Sequence, residues 1–312
     1  MLKIILNRLK PQAEKIIAEE VAGFRAGRST TEQIFNPRIL CEKYLQHQQD
    51  LYHVFTDFKK AFDRVWHAAL WATMKKYNIS TNLIQIIKNH YISSGGDWFR
   101  TTVGVRQGCL PSLTLSNIFL ERIMTDALDD HEDTVSIGGR TITNLRFADD
   151  IDGLAGEEEL ANLVERLDKA STAYYMKISA EKTKLITNNT SGINTTIKVN
   201  RQKLDTVTSF KYLGSVITDE GSKPEILSRI EHATAALTRL KPVWNDRSIS
   251  LSSKIRQMRS LVTFIFLYVC ESWTLTAELQ RRIQAQKMRC NRKILRISYK
   301  DHVTKKEVRA KI

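Results

Sequence analysis

The stretch Asn144-Leu-Arg-Phe-Ala-Asp-Asp-Ile-Asp-Gly-Leu-Ala155 decides how the rest of the chain is read. Two adjacent carboxylates, Asp149 and Asp150, stand between two short apolar runs, and Gly138, Gly139, Gly153 and Gly156 punctuate the segment. The pattern predicts a β-hairpin with the aspartates at or near its turn. Side chains alternate faces along a strand, so only a turn can aim both carboxylates the same way. Two anions held this close repel, and one stays protonated unless a cation lies between them. Mg2+ takes oxygen ligands and is commonly held by one or two carboxylates together with substrate phosphates. Taken alone, an Asp-Asp pair is also an ordinary solvated turn.

A third carboxylate changes the weight of the pair. Leu51-Tyr-His-Val-Phe-Thr-Asp57 reads as a buried strand from Tyr52 to Asp57. It runs into a helix with Trp66, Leu70, Met74 and Tyr77 on one stripe. Asp57 therefore sits at a strand end, where a side chain can face a site. A cluster of carboxylates drawn from distant points of a chain is what a two-cation site for phosphoryl displacement requires.

With these stretches in place, the chain resembles the reverse transcriptases of non-LTR (LINE-type) retrotransposons. The matching segments occur in that family's order: Ala22-Gly-Phe-Arg-Ala-Gly-Arg-Ser-Thr30, Phe55-Thr-Asp-Phe-Lys-Lys-Ala-Phe-Asp63, Gly104-Val-Arg-Gln-Gly-Cys109, Phe147-Ala-Asp-Asp150, Ile178-Ser-Ala-Glu-Lys-Thr-Lys184 and Phe210-Lys-Tyr-Leu-Gly214. The resemblance spans residues 1–218 by motif and extends more loosely to the tail.

The resemblance implies roles. Asp57, Asp149 and Asp150 would hold two Mg2+ ions. Phe58 and Phe62 would lie at the incoming nucleotide, with Phe62 excluding a 2′-hydroxyl by a clash. Gln107 and Gly108 would contact the nascent base pair. Tyr212, Leu213 and Gly214 would hold the primer end. Lys182 would protonate the leaving pyrophosphate, although an exposed lysine at a strand end suits the same sequence. Arg25 and Arg28, in a loop with two glycines, suit either a phosphate cradle or a tight turn whose arginines pair with acidic neighbours.

The chain also departs from the family pattern. Leu113 stands where the family has proline and Ser116 where it has phenylalanine, both on the helix that follows Gln107. The junction Tyr91–Trp98 is shorter than in the family. Family members also carry sequence before the segment that begins here, so a truncated copy is expected.

Charge adds an independent clue. The net charge is +14. Residues 221–312 hold 20 Lys+Arg against 7 Asp+Glu, a surplus of +13, whereas the first 220 residues hold 28 against 27. A basic surface confined to one region suits a polyanionic partner or a solvated helical face. Arg281, Arg282, Arg289, Arg292 and Lys293 fall on one predicted helix, Ala277 to Ile297, as a surface that could track phosphates. Cys41, Cys109, Cys270 and Cys290 are scattered without Cys-x-x-Cys spacing, which gives a zinc site no support and suits a reducing compartment. The longest apolar run, Leu261 to Cys270, is too short to cross a bilayer.

Elsewhere, residues 1–22 read as an amphipathic helix interrupted at Pro11, and 157–175 as a strongly amphipathic one. Gly221-Ser-Lys-Pro224 marks an expected boundary, followed by helices over 225–240, 251–270 and 277–297.

The expected architecture is therefore α+β. A right-hand polymerase palm, an antiparallel sheet with helices packed on one side and partial fingers, occupies residues 1–220, and a basic helical thumb occupies 221–312. The expected function is RNA-directed DNA synthesis, with an RNA template, a DNA primer and deoxynucleoside triphosphates as partners, inside the cell and without a membrane. Two rivals use the same residues: an inactive remnant that only binds nucleic acid, and a two-metal nuclease or phosphatase. The order of the Gln-Gly, Lys-Thr-Lys and Tyr-Leu-Gly segments disfavours the second.

Overall fold

The protein is described by a computed structural model covering residues 1–93, 101–129, 131, 135–137, 139–188, 196–218 and 221–312. The chain divides into two compact units, Met1–Phe210 and Lys211–Ile312. The first contains α1 (Leu2–Ala13), α2 (Thr30–Gln46), β1 (Tyr52–Thr56), α3 (His67–Lys76), α4 (Thr81–Ser93), α5 (Ser112–Leu128), β2 (Ser136–Ile137), β3 (Arg140–Thr141), β4 (Asn144–Phe147) and β5 (Asp150–Ala155). It continues through α6 (Glu157–Ala173), β6 (Lys184–Thr187), β7 (Lys198–Val199), β8 (Gln202–Lys203) and β9 (Asp205–Thr206), and the unit boundary falls within β10 (Ser209–Tyr212). The shortened junction expected at Tyr91–Trp98 lies largely outside the described residues.

Five strands form the main sheet in the order β4-β5-β1-β6-β9. All pairings are antiparallel except β6–β9, which is parallel. β1 lies at the centre, and all five of its residues are buried, the polar His53 and Thr56 with Tyr52, Val54 and Phe55. Its alternation sorts two cores. Tyr52 and Val54, with Ile151 and Ala155 of β5 and Leu185 of β6, join the large core that includes α1 and α3 to α6. Leu145 and Leu154, on the other face, pack with Leu40 and Cys41 of α2 and with Leu51. The sheet is thus covered on both faces, not on one side as expected. α2 reads weakly as amphipathic in sequence because Gln33, Pro37 and Arg38 are among its buried positions.

Gly153 explains the close seat of α6. A Cβ there would come within 2.8 Å of Val54 Cγ1 and 3.2 Å of Leu163 Cδ2. The amphipathic stripe of α6 buries Leu160, Leu163, Val164 and Leu167. On α3, Leu70 and Met74 are fully buried while Trp66 and Tyr77 pack partly on the same core, as the predicted stripe requires.

The second unit begins with the end of a hairpin, β10 and β11 (Ser215–Thr218), and continues as α7 (Lys223–Arg239), α8 (Lys241–Asn245), α9 (Leu251–Gln257), α10 (Phe264–Phe266), α11 (Ala277–Leu295) and α12 (Lys305–Ala310). The predicted helix over 251–270 is broken: Met258–Thr263 is a π-helical turn and the helix ends at Phe266. Trp244, Val262 and Ala233 centre this core. The division falls before the expected one at Gly221. Arg229 on α7 donates to Gly214 O and pairs with Glu225, Glu225 accepts from Val216 N, and Tyr268 Oη donates to Leu213 O. These bonds tie the hairpin turn to the helices that follow it.

Candidate active site

β1 and β5 pair with Thr56 opposite Ile151, so the next position along β1 brings Asp57 beside the start of β5. β4 and β5 close the predicted hairpin with Phe147 opposite Asp150. Ala148 and Asp149 form its turn, with Ala148 in the left-handed region at φ 59°. Asp57, Asp149 and Asp150 therefore meet at one end of the sheet, from two points of the chain 92 residues apart in sequence.

Their electrostatics report the convergence. Burial raises the pKa of Asp149, and the charge of Asp57 adds to it. Burial, then Asp149, then Asp57 push Asp150 up to about 6, opposed only in part by Lys182. The like charges are thus close enough to be felt and lack full compensation.

Lys182 completes the group. Its Nζ lies 3.2 and 3.3 Å from the two carboxylate oxygens of Asp57. The backbone explains this placement: Ser179 N donates to Asp57 O at 2.8 Å, Asp57 N donates to Thr183 Oγ1 at 3.4 Å, and Phe58 bridges Ile178. The turn carrying Lys182 is thereby stitched to the residue it faces. Among the described residues no three acidic, histidine or cysteine side chains already stand in a metal-closing arrangement. The donor chemistry nevertheless fits a hard divalent cation: three carboxylates, mutually repelling, one of them attended by an ammonium group in the role of a cation.

The other expected residues divide. Phe62 packs partly on the core, and Val105 N donates to its carbonyl at 2.7 Å, which joins the Phe62 turn to the loop bearing Gln107 and Gly108. Gln107 and Gly108 are exposed, with Gly108 at φ 80°. Phe58 is 3% exposed and belongs to the large core, so its ring offers little surface to the incoming nucleotide at which it was expected to lie. Arg25 is largely turned inward: it pairs with Glu14 at 2.8 Å and donates to Ala18 O and Val21 O. Arg28 pairs with Glu19 at 3.3 Å and remains partly exposed. The tight-turn alternative accounts for Arg25.

Tyr212, Leu213 and Gly214 form a hairpin turn with Leu213 at φ 47° and Gly214 at φ 82°. Tyr212 is 2% exposed, so the accessible part of this turn is Leu213 and Gly214. On α11, Arg281, Arg282, Arg289 and Lys293 are exposed, whereas Arg292 donates to Val303 O.

One group escaped the sequence reading. His53 Nδ1 lies 3.1 Å from both carboxylate oxygens of Asp152, and its Nε2 lies 3.2 Å from Cys41 Sγ, all three buried. Burial lowers the affinity of His53 for a proton, but Asp152 and then Cys41 outweigh it and raise its pKa well above the ordinary value. Burial likewise raises Asp152 against the pull of His53. His53 thus favours its protonated form, facing the Asp152 carboxylate. The signal that could have found it is a histidine and an aspartate at interior positions of two apolar strands.

Residues 1–217 match the reverse transcriptase (RNA-dependent DNA polymerase) family. The chain belongs to the reverse transcriptase family. It is 23% identical over 313 residues to the RNA-directed DNA polymerase from mobile element jockey of Drosophila funebris, covering 92% of this chain and 33% of that protein. Over 79 residues it is 38% identical to the probable RNA-directed DNA polymerase from transposon BS of Drosophila melanogaster, covering 24% of this chain and 8% of that protein. The chain thus spans about a third of the length of the jockey polymerases it matches. Among solved structures, apo telomerase from Candida tropicalis shares the fold with this reverse transcriptase, at TM-score 0.52 and 12% identity, over 96% of this chain and 56% of that one. No helix among the described residues is long and apolar enough to cross a membrane.

Proposed function

We propose that this reverse transcriptase domain extends a DNA primer on an RNA template, using deoxynucleoside triphosphates at the end of the sheet where Asp57, Asp149 and Asp150 meet. The observation that carries the reading is the convergence of three part-buried carboxylates on a single lysine: burial, then Asp149, then Asp57 raise Asp150 to about 6, and Lys182 offsets this only in part. A site of that kind suits cations brought in with a phosphate substrate. Bound Mg2+, two ions in this reading, would supply positive charge against the phosphoryl oxygens.

The protein's own residues would do the rest. The β-turn would carry two of the carboxylates and β1 the third, so the backbone brings all three to one end of the sheet and their side chains would close on the cations. Lys182 is within hydrogen-bonding reach of Asp57 and carries a proton beside the place where a pyrophosphate would leave. Phe62 and the Gln107–Gly108 loop, joined through the Val105–Phe62 bond, would bound the nucleotide from one side. Gly214 and Leu213 would hold the primer end, and the exposed cations of α11 would track phosphates.

The test is extension of a labelled DNA primer on an RNA template by the purified protein with Mg2+. Products that stop where the template first calls for an omitted deoxynucleotide support the reading, and binding without extension overturns it. A second reading, a nucleic-acid-binding remnant, is favoured by Leu113 and Ser116. Leu113 lies in the first turn of α5, where proline is tolerated. Ser116, by contrast, is 2% exposed inside the core, so phenylalanine there would overpack it in the present surroundings. Leu113→Pro alone is therefore the informative repair: extension gained only in that variant would favour the remnant reading.

A further inference from the structure

The outer edge of β4 is occupied by the segment before the Gly-Phe-Arg loop. Ala22 N donates to Arg146 O at 2.8 Å, Arg146 N donates to Glu20 O at 3.1 Å, and Val21 forms a single parallel bridge with Arg146. The next residue, Gly23, lies directly against the turn that carries the candidate carboxylates. A Cβ on Gly23 would fall 2.3 Å from Ala148 N, 2.9 Å from Phe147 C and 3.1 Å from Ala148 Cα. These are backbone atoms, so no change of rotamer relieves the overlap. Close approach is what demands glycine at this position.

The segment is anchored from behind. Asn117 Nδ2 donates to Gly23 O at 2.8 Å, and Asn117 is 4% exposed. One helical turn along α5, Glu121 accepts from Ala18 N at 3.1 Å and pairs with buried Arg146 at 3.2 Å. A single face of α5 therefore holds both the 18–23 segment and the β4 edge. Phe24, at φ 61°, turns the chain away and leaves its ring 6.1 Å from that of Phe147.

We propose that Gly23, held by Asn117, is a positioning residue for the candidate active site: its backbone abuts Ala148 and fixes the left-handed turn that presents Asp149 and Asp150. The proposal rests on the polymerase reading for its catalytic consequence but not for its structural one. Only the turn separates Gly23 from the two carboxylates, so a methyl group there displaces them together relative to Asp57 on β1. A displacement of about 1 Å at a reacting centre is enough to cost on the order of 100-fold in rate.

The test measures Gly23→Ala, Asn117→Ala and wild type in two ways. The first is the carboxyl titration of Asp150 by NMR in the metal-free protein, with amide exchange of residues 148–150. The second is primer extension, resolved into kcat and template-primer KM. Gly23→Ala should shift the Asp150 midpoint and speed turn-amide exchange at least tenfold. It should also lower kcat roughly 10–100-fold with KM within twofold of wild type. Asn117→Ala adds no atoms and should move every readout the same way by less. Restoring freedom to the turn with Ala148→Gly in the Gly23→Ala background should recover part of kcat. An unchanged Asp150 midpoint and unchanged turn exchange in Gly23→Ala overturn the clasp whatever the activity. A shifted midpoint in a protein whose wild type does not extend primers supports the clasp and sinks the polymerase reading instead.

Discussion

The β1–β5 pair carries buried charge at two places on one face, and the two are built in opposite ways. Side chains alternate along a strand, so His53 and Asp57 of the β1 segment share a face, as do Asp150 and Asp152 of β5. Inside the sheet Asp152 is fully buried, and His53 lies 3.1 Å from both its oxygens. At the sheet's end Asp150 has two carboxylates for neighbours, and only Lys182 opposes them. The first arrangement satisfies its charges within the protein. The second leaves a deficit that the proposed cations would meet. A structural ion pair and a cation site can therefore be told apart by where the compensation comes from, even two residues apart on one strand.

The largest effect expected from this contrast is on stability at the closed end. Asp152→Ala leaves a buried histidine without its partner and should cost about 3–5 kcal/mol in denaturant unfolding. Replacing both, as in His53→Leu with Asp152→Leu, should recover much of that loss. Equal losses in the single and double variants would show that the pair is not a self-contained unit.

At the open end the same kind of change should act on chemistry. Asp150→Asn should lower primer extension by roughly 10²–10³-fold, the scale set by removing one preorganised charged group, with template-primer affinity nearly unchanged. A parallel fall in affinity would mean that the carboxylate end is a binding surface and not a centre of chemistry.

Binding should instead respond to α11. Arg281→Gln, Arg282→Gln, Arg289→Gln and Lys293→Gln together should flatten the dependence of log affinity on log salt, by roughly 0.7–0.9 for each residue that touches a phosphate. An unchanged slope would move nucleic-acid binding to the first unit. Arg292 is left out because it is only half-exposed and donates to Val303 O, whereas Arg281 and Arg282, which bond within α11 to Ala277 O and Glu278, stay exposed.

The smallest effect is on heat stability without metal. The folded-state pKa of Asp150 is raised to about 6 from an ordinary 3.8, so the folded form favours the proton. Its contribution to stability is present below about pH 4 and is lost as pH rises through about 6. Asp150→Asn should therefore raise the thermal midpoint at pH 7.5, by about 2–4 °C for each 1 kcal/mol relieved, and lose that advantage near pH 4. A lower midpoint at pH 7.5 would contradict the uncompensated-charge account.

These differences also explain what could be read before the structure was in hand. The hairpin over 144–155 was legible because apolar runs flank a turn, and Asp57 because it ends a short run rich in apolar and β-favouring residues, Leu51 to Thr56. The roles of Phe58 and Arg25 were not legible. Whether a ring points into a core or toward a ligand depends on the cross-strand partner, here Ile178, and Arg25 finds its carbonyls only when the chain folds back on itself. The second face of the sheet was missed because α2 buries polar residues and shows little amphipathic period. The break in the predicted 251–270 helix depends on a π-helical turn, which leaves no mark on apolar spacing.

The central claim is that the end of the sheet holding Asp57, Asp149 and Asp150 is a divalent-cation site. A titration of the purified protein with Mn2+, read by electron paramagnetic resonance, tests it most directly, with wild type and Asp150→Asn compared at pH 7.5 and pH 5. The account predicts saturable binding by wild type at pH 7.5, roughly tenfold weaker at pH 5 because protons compete below the pKa of about 6, and little binding by Asp150→Asn at either pH. Equal Mn2+ affinity in wild type and Asp150→Asn at pH 7.5 would contradict it.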